Sequence, residues 1–296
     1  TTTTTTTVVP TTTTAAPNSG IATTCGSVGS IADTYSFRDG IGVRNLVSDG
    51  THMWFTDGRY AGGSFVSKFR ASDGELIGTY PAGGSHTPWD LVFDGTHIWT
   101  LNHWDDSVSK LRASDGELIG TYPTGSSSNG LAFGNGHIWV SNQGDDSVSK
   151  LRASDGTLIS TSLSIPINSG LLIYVDHASG GDHIWLQSGD SILKLRESDL
   201  FLGVASTQLD FGPSDMLFDG THVWFTNYWE STVSKYSTDG YLRGTYSVDG
   251  GRWSRADQMA FDGVHIWVES SSSTITQLRA SDGALVGTYP TGIYMN

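Results

Sequence analysis

A tripeptide of histidine, an aliphatic residue or methionine, and tryptophan recurs six times along the 296 residues of the chain. The copies are His52–Trp54, His97–Trp99, His137–Trp139, His183–Trp185, His222–Trp224 and His265–Trp267. Successive copies begin 39 to 46 residues apart. A repeat of this length predicts a series of similar supersecondary units that pack against their neighbours.

A second motif follows each copy of the first. It reads Ser-Asp-Gly at Asp73, Asp115, Asp155 and Asp282, Thr-Asp-Gly at Asp239, and Ser-Asp-Leu at Asp199. The segments between the motifs are short and rich in Ile, Val, Thr, Tyr and Trp, and Asp-Gly pairs separate them as tight turns do. In the second unit the expected strands are Leu91–Phe93, His97–Asn102, Val108–Arg112 and Leu118–Tyr122, with a loop over 103–106. Four antiparallel strands in each unit predict propeller blades.

The six units therefore predict an all-β, six-bladed propeller over residues 31–296, which an extended Thr/Pro-rich arm over residues 1–30 precedes. In this prediction the first strand of each blade lines the central channel. The segment Ile31–Phe37 resembles a fourth strand, although the last unit has its own at Leu285–Pro290. We expect this additional segment either to replace the final strand and close the ring, or to pair with an edge on another chain.

The repeated sequences resemble a broad superfamily of propellers. Phe-Asp-Gly-Thr-His-Ile-Trp, Asp-Asp-Ser-Val-Ser-Lys-Leu and Asp-Gly-x-Leu-x-Gly-Thr-Tyr-Pro, found between about Val43 and Gly292, are similar to NHL, YVTN and streptogramin-lyase-type repeats. The resemblance implies the propeller fold, which lyases, lactonases, binding modules and scaffolds share. Streptogramin lyases are usually described as having seven blades, a catalytic histidine, an acidic residue and magnesium. This chain has six units and no matching His–Glu pair outside the repeat.

The arm has the composition of an extracellular stalk. Its threonine tracts, interrupted by Pro10 and Pro17, predict O-glycosylation and a secreted or cell-surface location. The candidate acceptors are Thr1, Thr2, Thr3, Thr4, Thr5, Thr6, Thr7, Thr11, Thr12, Thr13 and Thr14. We expect the arm to be held against a neighbour rather than to hang free.

Charge, apolar content and cysteine usage exclude several classes. The net charge of −14 argues against nucleic acid and anionic membranes as partners. The longest apolar run, 171–175, is far shorter than the roughly 20 residues of a membrane span. The single cysteine, Cys25, excludes an intramolecular disulfide and a cysteine-rich zinc site, and it is either buried or used for an intermolecular bond.

Subtracting the repeat leaves a set of aromatic and charged residues in loops that open on one face. The repeated histidines are interpreted as structural groups bonded to the aspartates of nearby turns, and the Lys-x-Arg pairs of the third strands as inter-blade ion pairs. The remaining residues predict either a sugar- or partner-binding face or caps on the blade edges. They are His86, Trp89, His103, Trp104, Tyr228, Trp229, Arg252 and Trp253.

Oxygen-bearing side chains precede the first strands of four units that adjoin one another around a closed ring. Asn45, Asp90, Asp215 and Gln258 can offer ligands to Ca²⁺ or Mg²⁺ in the central channel, or can line a water-filled mouth. The Asp-Asp-Ser loops at 105–107 and 145–147 are weaker calcium candidates, because they lack the spacing of a calcium-binding loop.

The similarity between units favours a scaffold over an enzyme, and no Gly-x-Ser-x-Gly elbow is present. We therefore expect a secreted structural or interaction protein that self-associates through its arm, with an extracellular filament as one outcome. A metal-dependent lyase or lactonase with a channel cation is the alternative. A carbohydrate-binding module that uses the aromatic face is a further alternative.

Overall fold

The computed structural model describes residues 45–57, 63–162, 173–176, 183–188, 191–198, 202–208, 213–248, 256–270 and 274–290. These residues form six four-stranded antiparallel sheets, each from one continuous stretch of chain. The first three sheets comprise β1 (Leu46–Ser48), β2 (His52–Asp57), β3 (Phe65–Arg70), β4 (Leu76–Pro81); β5 (Asp90–Phe93), β6 (His97–Asn102), β7 (Ser107–Arg112), β8 (Leu118–Pro123); β9 (Ser128–Gly134), β10 (His137–Asn142), β11 (Ser147–Arg152), β12 (Leu158–Thr161). The last three comprise β13 (Ile173–Asp176), β14 (His183–Ser188), β15 (Ser191–Arg196), β16 (Leu202–Gln208); β17 (Met216–Phe218), β18 (His222–Asn227), β19 (Thr232–Ser237), β20 (Leu242–Ser247); β21 (Ala256–Phe261), β22 (His265–Ser270), β23 (Thr274–Arg279), β24 (Leu285–Pro290).

The predicted all-β propeller with four-stranded antiparallel blades is confirmed. The strands of each sheet follow one another in space as they do in sequence, and contacts join β1 to β5, β5 to β9, β9 to β13, β13 to β17 and β17 to β21. The first strands are therefore innermost and the fourth strands are outer edges. The predicted loop over 103–106 contains a short 3-10 turn at His103–Asp105.

The histidine–tryptophan motif is structural. In the second sheet, Asp94 accepts hydrogen bonds from the backbone N–H of Thr96 at 2.8 Å and of His97 at 2.7 Å, and from Trp99 Nε1 at 2.8 Å. Burial by itself would raise the pKa of Asp94, but these hydrogen bonds outweigh it and hold the pKa below its usual range. The turn aspartate thus fixes the first hairpin and supplies the acceptor that a buried indole N–H needs.

Most of the described third-strand lysines join neighbouring sheets through backbone carbonyls rather than through the predicted ion pairs. Lys110 Nζ donates to the carbonyl oxygens of Ala153 at 2.7 Å and Ser154 at 2.9 Å in the next sheet, and it lies 5.2 Å from the centre of the Trp99 ring. Lys68 and Lys235 bond the equivalent carbonyls of the sheets that follow them. In these sheets the chain that follows the third strand of the next sheet places its carbonyl oxygens against the lysine. Lys150 instead lies 3.4 Å from Glu197 Oε1 of the fourth sheet, which is an inter-sheet ion pair of the predicted kind.

The arginines of the same motif pair within their own sheet. Arg112 Nη1 lies 2.8 Å from Asp115 Oδ2 and 2.6 Å from Glu117 Oε2, and all three side chains are exposed. Such surface pairs contribute about 1 kcal/mol or less to stability, so the cohesion between sheets comes mainly from other contacts.

Apolar packing joins the sheets. Trp99, Leu101 and Val108 of the second sheet share one buried cluster with Leu131, Ile138 and other residues of the third. The fourth-strand tyrosine of one sheet also fits beneath the Asp-Gly turn of the next. A Cβ added to Gly156, which has a φ of +77°, would lie 2.1 Å from Tyr122 Cε1, so this turn requires glycine for both conformation and space.

The final strand is not replaced by a segment from elsewhere, because β24 itself completes the sixth sheet by pairing with β23. The prediction that Ile31–Phe37 substitutes for it was therefore wrong, and pairing with another chain stays a prediction. Ile31–Phe37, Cys25, the threonine tracts, Arg252 and Trp253 lie outside the described residues. Within the described ranges, no helix is long and apolar enough to cross a membrane.

Candidate functional site: the aromatic loops

Hydrogen bonds at the ends of the second and third strands hold the loop between them in place. In the second sheet, Asn102 Nδ2 donates to Ser107 Oγ at 3.2 Å and to Ser109 Oγ at 2.8 Å, which closes the β6–β7 hairpin. Asp105 accepts the backbone N–H of Ser85 at 2.6 Å and also its hydroxyl. The segment that enters the second sheet is thus tied to the β6–β7 loop, and both loops open on the same face, as predicted.

Four of the predicted face residues form one aromatic cluster. The rings of Trp89 and His103 are stacked, with centroids 3.7 Å apart and planes at 11°. Trp104 stands edge-on to both, with centroid distances of 6.2 Å to Trp89 and 4.7 Å to His103. His86 lies 6.3 Å from Trp104, and His103 Nδ1 donates to the carbonyl of Ser128 in the next sheet at 2.7 Å. Trp104 is therefore surrounded on several sides by rings whose positions are fixed.

The two tryptophans of this cluster differ in burial. Trp89 is partly buried and packs against the apolar cluster shared by the second and third sheets, so it matches the alternative interpretation of a cap. Trp104 keeps 64% of its surface exposed. A large apolar side chain with such exposure, fixed at the rim of a rigid loop, is typical of a binding contact.

The fifth sheet carries an equivalent group. Tyr228 and Trp229 occupy the same two positions of the β18–β19 loop that His103 and Trp104 occupy in β6–β7. Their rings are 5.0 Å apart with planes at 89°, and Trp229 is 64% exposed. An acidic residue, Glu230, comes next, and Ser231 has a φ of +55° where Asp106 has +47°. The two loops therefore share both their backbone turn and their exposed indole.

Two of the four predicted channel ligands, Asn45 and Asp90, are hydrogen-bonded to each other. Asn45 Nδ2 donates to Asp90 Oδ1, which also accepts the backbone N–H of Leu91 at 2.8 Å. Asp90 Oδ2 accepts the backbone N–H of Leu131 in the third sheet at 3.0 Å. Burial raises the pKa of Asp90 to about 6, against the lowering effect of the two backbone hydrogen bonds. Asp90 thus bridges three consecutive sheets at their inner strands.

Asp215 makes the same bridge between the fifth and sixth sheets, since it accepts the backbone N–H of Met216 at 2.8 Å and of Met259 at 2.6 Å. Gln258 is exposed. The aspartates of the Asp-Asp-Ser loops are also engaged in hydrogen bonds to the segment that enters the third sheet. Asp106 accepts from Ser127 N at 2.7 Å, and Asp145 accepts from Ser126 N. In the described part of the chain, no group of three or more His, Cys, Asp or Glu side chains could hold a metal ion.

The sequence-based prediction missed the structural role of two residues of the loop face. Ser85 and Asp105 tie the loops together, but serine and aspartate are too common in these repeats to be distinguished by type. The spacing offered one usable signal, because a Gly-Ser pair precedes both Asp105 and Asp145 by 20 and 19 residues respectively.

Comparisons with known proteins report the fold. No protein-family model and no curated protein sequence matches the chain. Virginiamycin B lyase from Staphylococcus aureus superposes with a TM-score of 0.69 at 15% identity, covering 86% of this chain and 85% of that one. Hydrazine synthase from Kuenenia stuttgartiensis superposes at 0.69 and 13%, covering 89% and 90%. The Neurospora crassa Pan2 WD40 domain superposes at 0.69 and 10%, covering 85% and 81%. The chain is thus a β-propeller whose neighbours include streptogramin-lyase-like propellers.

Proposed function

We propose that the chain is a secreted, non-catalytic interaction protein whose six sheets close into one six-bladed ring, and that it associates with further copies of itself. The observation that carries this proposal is a repeated apolar pair on the outer edge strands. The pairs are Leu76–Ile77, Leu118–Ile119, Leu158–Ile159 and Leu285–Val286, and all of these side chains are exposed. The fifth sheet has the exposed Leu242 at the first position and Arg243 at the second.

Exposed apolar edge strands are unusual in proteins that stay monomeric. An edge strand presents unpaired backbone groups, and soluble proteins normally protect it with charged side chains, proline or a covering segment. Here the fourth strands are edges of their sheets. Each described pair adds apolar surface to such an edge, which favours a contact that buries it.

A second copy is the occupant that suits this surface best. Four of the described sheets present the same pair at the same position, so one mode of contact can be repeated around the molecule. The ionic groups beside each pair are already bonded within the chain, as Arg112 is to Asp115 and Glu117. Because each copy has a net charge of −14, copies repel one another, and salt is expected to strengthen an apolar contact between them.

Charge insertion on the edges tests this proposal. We expect Ile77→Lys, Ile119→Lys and Ile159→Lys together to give a folded monomer in light scattering, where the unchanged chain forms larger species that grow with added salt. Val264→Lys is the matched control, because Val264 is exposed but lies in a turn between β21 and β22. A wild-type chain that stays monomeric at all concentrations and salt levels would contradict the proposal.

The arm has a separate part in the proposal. Deleting residues 1–30 is expected to leave a folded monomer, because the arm provides the link between copies while the sheets provide the surface. If the shortened chain still assembles, the arm is not the link, and the edge strands alone account for association.

The alternative of a lyase or lactonase has weaker support. Both carboxylate oxygens of Asp90 and of Asp215 already accept hydrogen bonds from neighbouring groups, and the side-chain oxygen of Asn45 accepts the backbone N–H of Leu46 at 2.6 Å. These contacts favour bracing between sheets over cation binding. Titration with Ca²⁺ and Mg²⁺ followed by thermal unfolding tests this alternative, which predicts stabilisation that Asp90→Ala with Asp215→Ala removes.

A further inference from the structure

We infer that the exposed tryptophans of the second and fifth sheets are two equivalent subsites for carbohydrate, and that together they hold one elongated glycan. This inference does not depend on self-association, because the loops and the outer edges are different surfaces. It rests on three observations about the loops β6–β7 and β18–β19.

The first observation is that both indoles are placed in the same way. Trp104 and Trp229 occupy the same loop position, are both 64% exposed, and each has an edge-on aromatic neighbour one residue before it, His103 at 4.7 Å or Tyr228 at 5.0 Å. A perpendicular neighbour does not stack in parallel on the indole, and more than half of each indole's surface is accessible to a ligand. The C–H groups of a pyranose ring pack on the flat face of an indole.

The second observation is that polar groups with fixed positions surround the first indole. Ser85 Oγ lies 2.8 Å from His86 Nδ1 and bonds Asp105, and His86 lies beside Trp104. A sugar stacked on an indole has hydroxyls around its rim, and hydroxyls both donate to and accept from such groups. In the fifth sheet, Glu230 follows Trp229 directly and supplies the corresponding carboxylate.

The third observation is the polar character of the surface beside the first site. In the third sheet the corresponding loop has Gln143 and Gly144 in place of His103 and Trp104. Among the described loops of this face, the third sheet therefore adds no exposed aromatic side chain beside the first site. A stable protein partner needs a contiguous apolar centre within a standard interface of roughly 1,600 Å², and the described loop of the third sheet does not extend the apolar surface of the first site. Isolated aromatic platforms suit a chain of sugar units, which can contact one platform at a time.

Two subsites on one rigid framework predict a dependence on glycan length. A short oligosaccharide occupies either site alone, whereas a long polymer that spans both gains from the high effective concentration of the second site. We therefore expect tighter binding of polymer than of oligosaccharide, and loss of this advantage when either indole is removed.

The first step of the test identifies a glycan. Affinity electrophoresis of the full chain is run through gels that contain hydroxyethylcellulose, glycol chitin, starch, galactomannan or pectin. Trp104→Ala is expected to abolish most of the retardation in the gel that retards the wild type. Val264→Ala is the control, since Val264 is 58% exposed but lies in the turn between β21 and β22, at the opposite end of its sheet from the second-to-third-strand loops.

The second step counts the subsites by calorimetry with a tetrasaccharide of the retained polymer. Two tetrasaccharides are expected per wild-type chain, one for Trp104→Ala, one for Trp229→Ala, and none for the double variant. Binding of the polymer should weaken by about tenfold or more in each single variant, as loss of one partner in a bivalent contact requires.

Each failure has a distinct meaning. One tetrasaccharide per chain, with no effect of Trp229→Ala, overturns the paired site but leaves a single site at Trp104. No retardation in any gel, or retardation unchanged by Trp104→Ala, overturns carbohydrate recognition at these loops. None of these results bears on self-association, which light scattering of the edge-strand variants decides separately.

Discussion

The second and third sheets share an identical stretch of sequence from the β6–β7 loop to the turn before the fourth strand, yet they differ at both ends of their strands. Residues 105–116 and 145–156 have the same twelve letters. On the loop face, His103 and Trp104 of the second sheet correspond to Gln143 and Gly144 of the third. At the opposite turn, Asp94 of the second sheet corresponds to Gly134. The comparison distinguishes the residues that hold the loops and turns of a sheet in place from the residues, such as Trp104, that these loops carry without needing them.

The loop framework does not depend on the aromatic residues. The third sheet keeps the same anchors, with Asn142 Nδ2 bonding Ser147 and Ser149 and with Asp145 accepting Ser126 N. Where the second sheet stacks Trp89 on His103, the third has a hydrogen bond of 2.6 Å from Asn129 Nδ2 to Gln143 Oε1. Because a polar pair holds the same loop, the exposed Trp104 is best explained by recognition rather than by folding.

The turn framework, in contrast, does need a carboxylate. With Gly134 in place of an aspartate, Glu197 of the fourth sheet enters the same region and accepts from Asn135, and it lies 3.4 Å from Lys150 Nζ and 3.5 Å from His137 Nδ1. Glu197 occupies the position of Ala113 and Ala153 in the repeat. The carboxylate near this turn is thus supplied by the fourth sheet rather than by the third sheet itself. Glu197 does not replace all the hydrogen bonds that Asp94 makes in the second sheet. Among the described residues, Trp139 Nε1 is buried without a hydrogen-bond acceptor.

The largest expected effect concerns this turn. Asp94→Ala should lower the free energy of unfolding by about 3 kcal/mol, because it leaves the Trp99 indole N–H and two backbone N–H groups without their acceptor. Glu197→Ala should cost about 1 kcal/mol, since Lys150 can then bond backbone carbonyls as Lys110 does. Urea unfolding of both variants measures the difference. Equal losses of unfolding free energy would contradict the prediction, because they would show that Asp94 and Glu197 stabilise their turns to the same extent.

The next effect is a pH dependence that the second sheet has and the third lacks, since Gly130 replaces Asp90 there. Burial raises the pKa of Asp90 to about 6, so ionisation is less favourable in the folded state than in the unfolded chain. The stability that the protonated form confers is complete below about pH 4 and is lost as the pH rises through 6. The unfolding free energy of the wild type minus that of Asp90→Asn should fall by about 2–3 kcal/mol from pH 4 to pH 7. A difference that stays constant with pH would contradict the raised pKa.

The smallest expected effect is on stability at the loop face. Trp104→Gly makes this position of the second sheet the same as Gly144 of the third, and it should change the free energy of unfolding by less than about 1 kcal/mol. Trp89→Asn should cost more, because Trp89 packs against the shared apolar cluster. Thermal and urea unfolding compare the two. A large loss of unfolding free energy for Trp104→Gly would mean that the indole stabilises the loop and is not there for recognition alone.

Most of the fold could be predicted from the sequence, because the same turn-forming and strand-forming residues recur in six units of the repeat. Asp-Gly pairs fix the turns, and β-branched and aromatic residues fix the strands between them. The grouping of His86, Trp89, His103 and Trp104 on one face was also predictable, since strand order decides which loops open together. The partners of the lysines were not predictable, because the carbonyls that they bond lie more than 40 residues away.

What the sequence determined by itself was the kind of unit, its repetition along the chain and the residues that depart from the repeat, because turn chemistry and strand composition act over a few neighbouring residues. The tertiary structure decided that Trp104 is exposed while Trp89 is packed, that Asp90 and Asp215 brace adjoining sheets, and that Glu197 replaces a missing aspartate in the neighbouring sheet. These outcomes depend on how one sheet is placed against the next. That placement results from packing over the whole interface, and no single segment of the chain contains it.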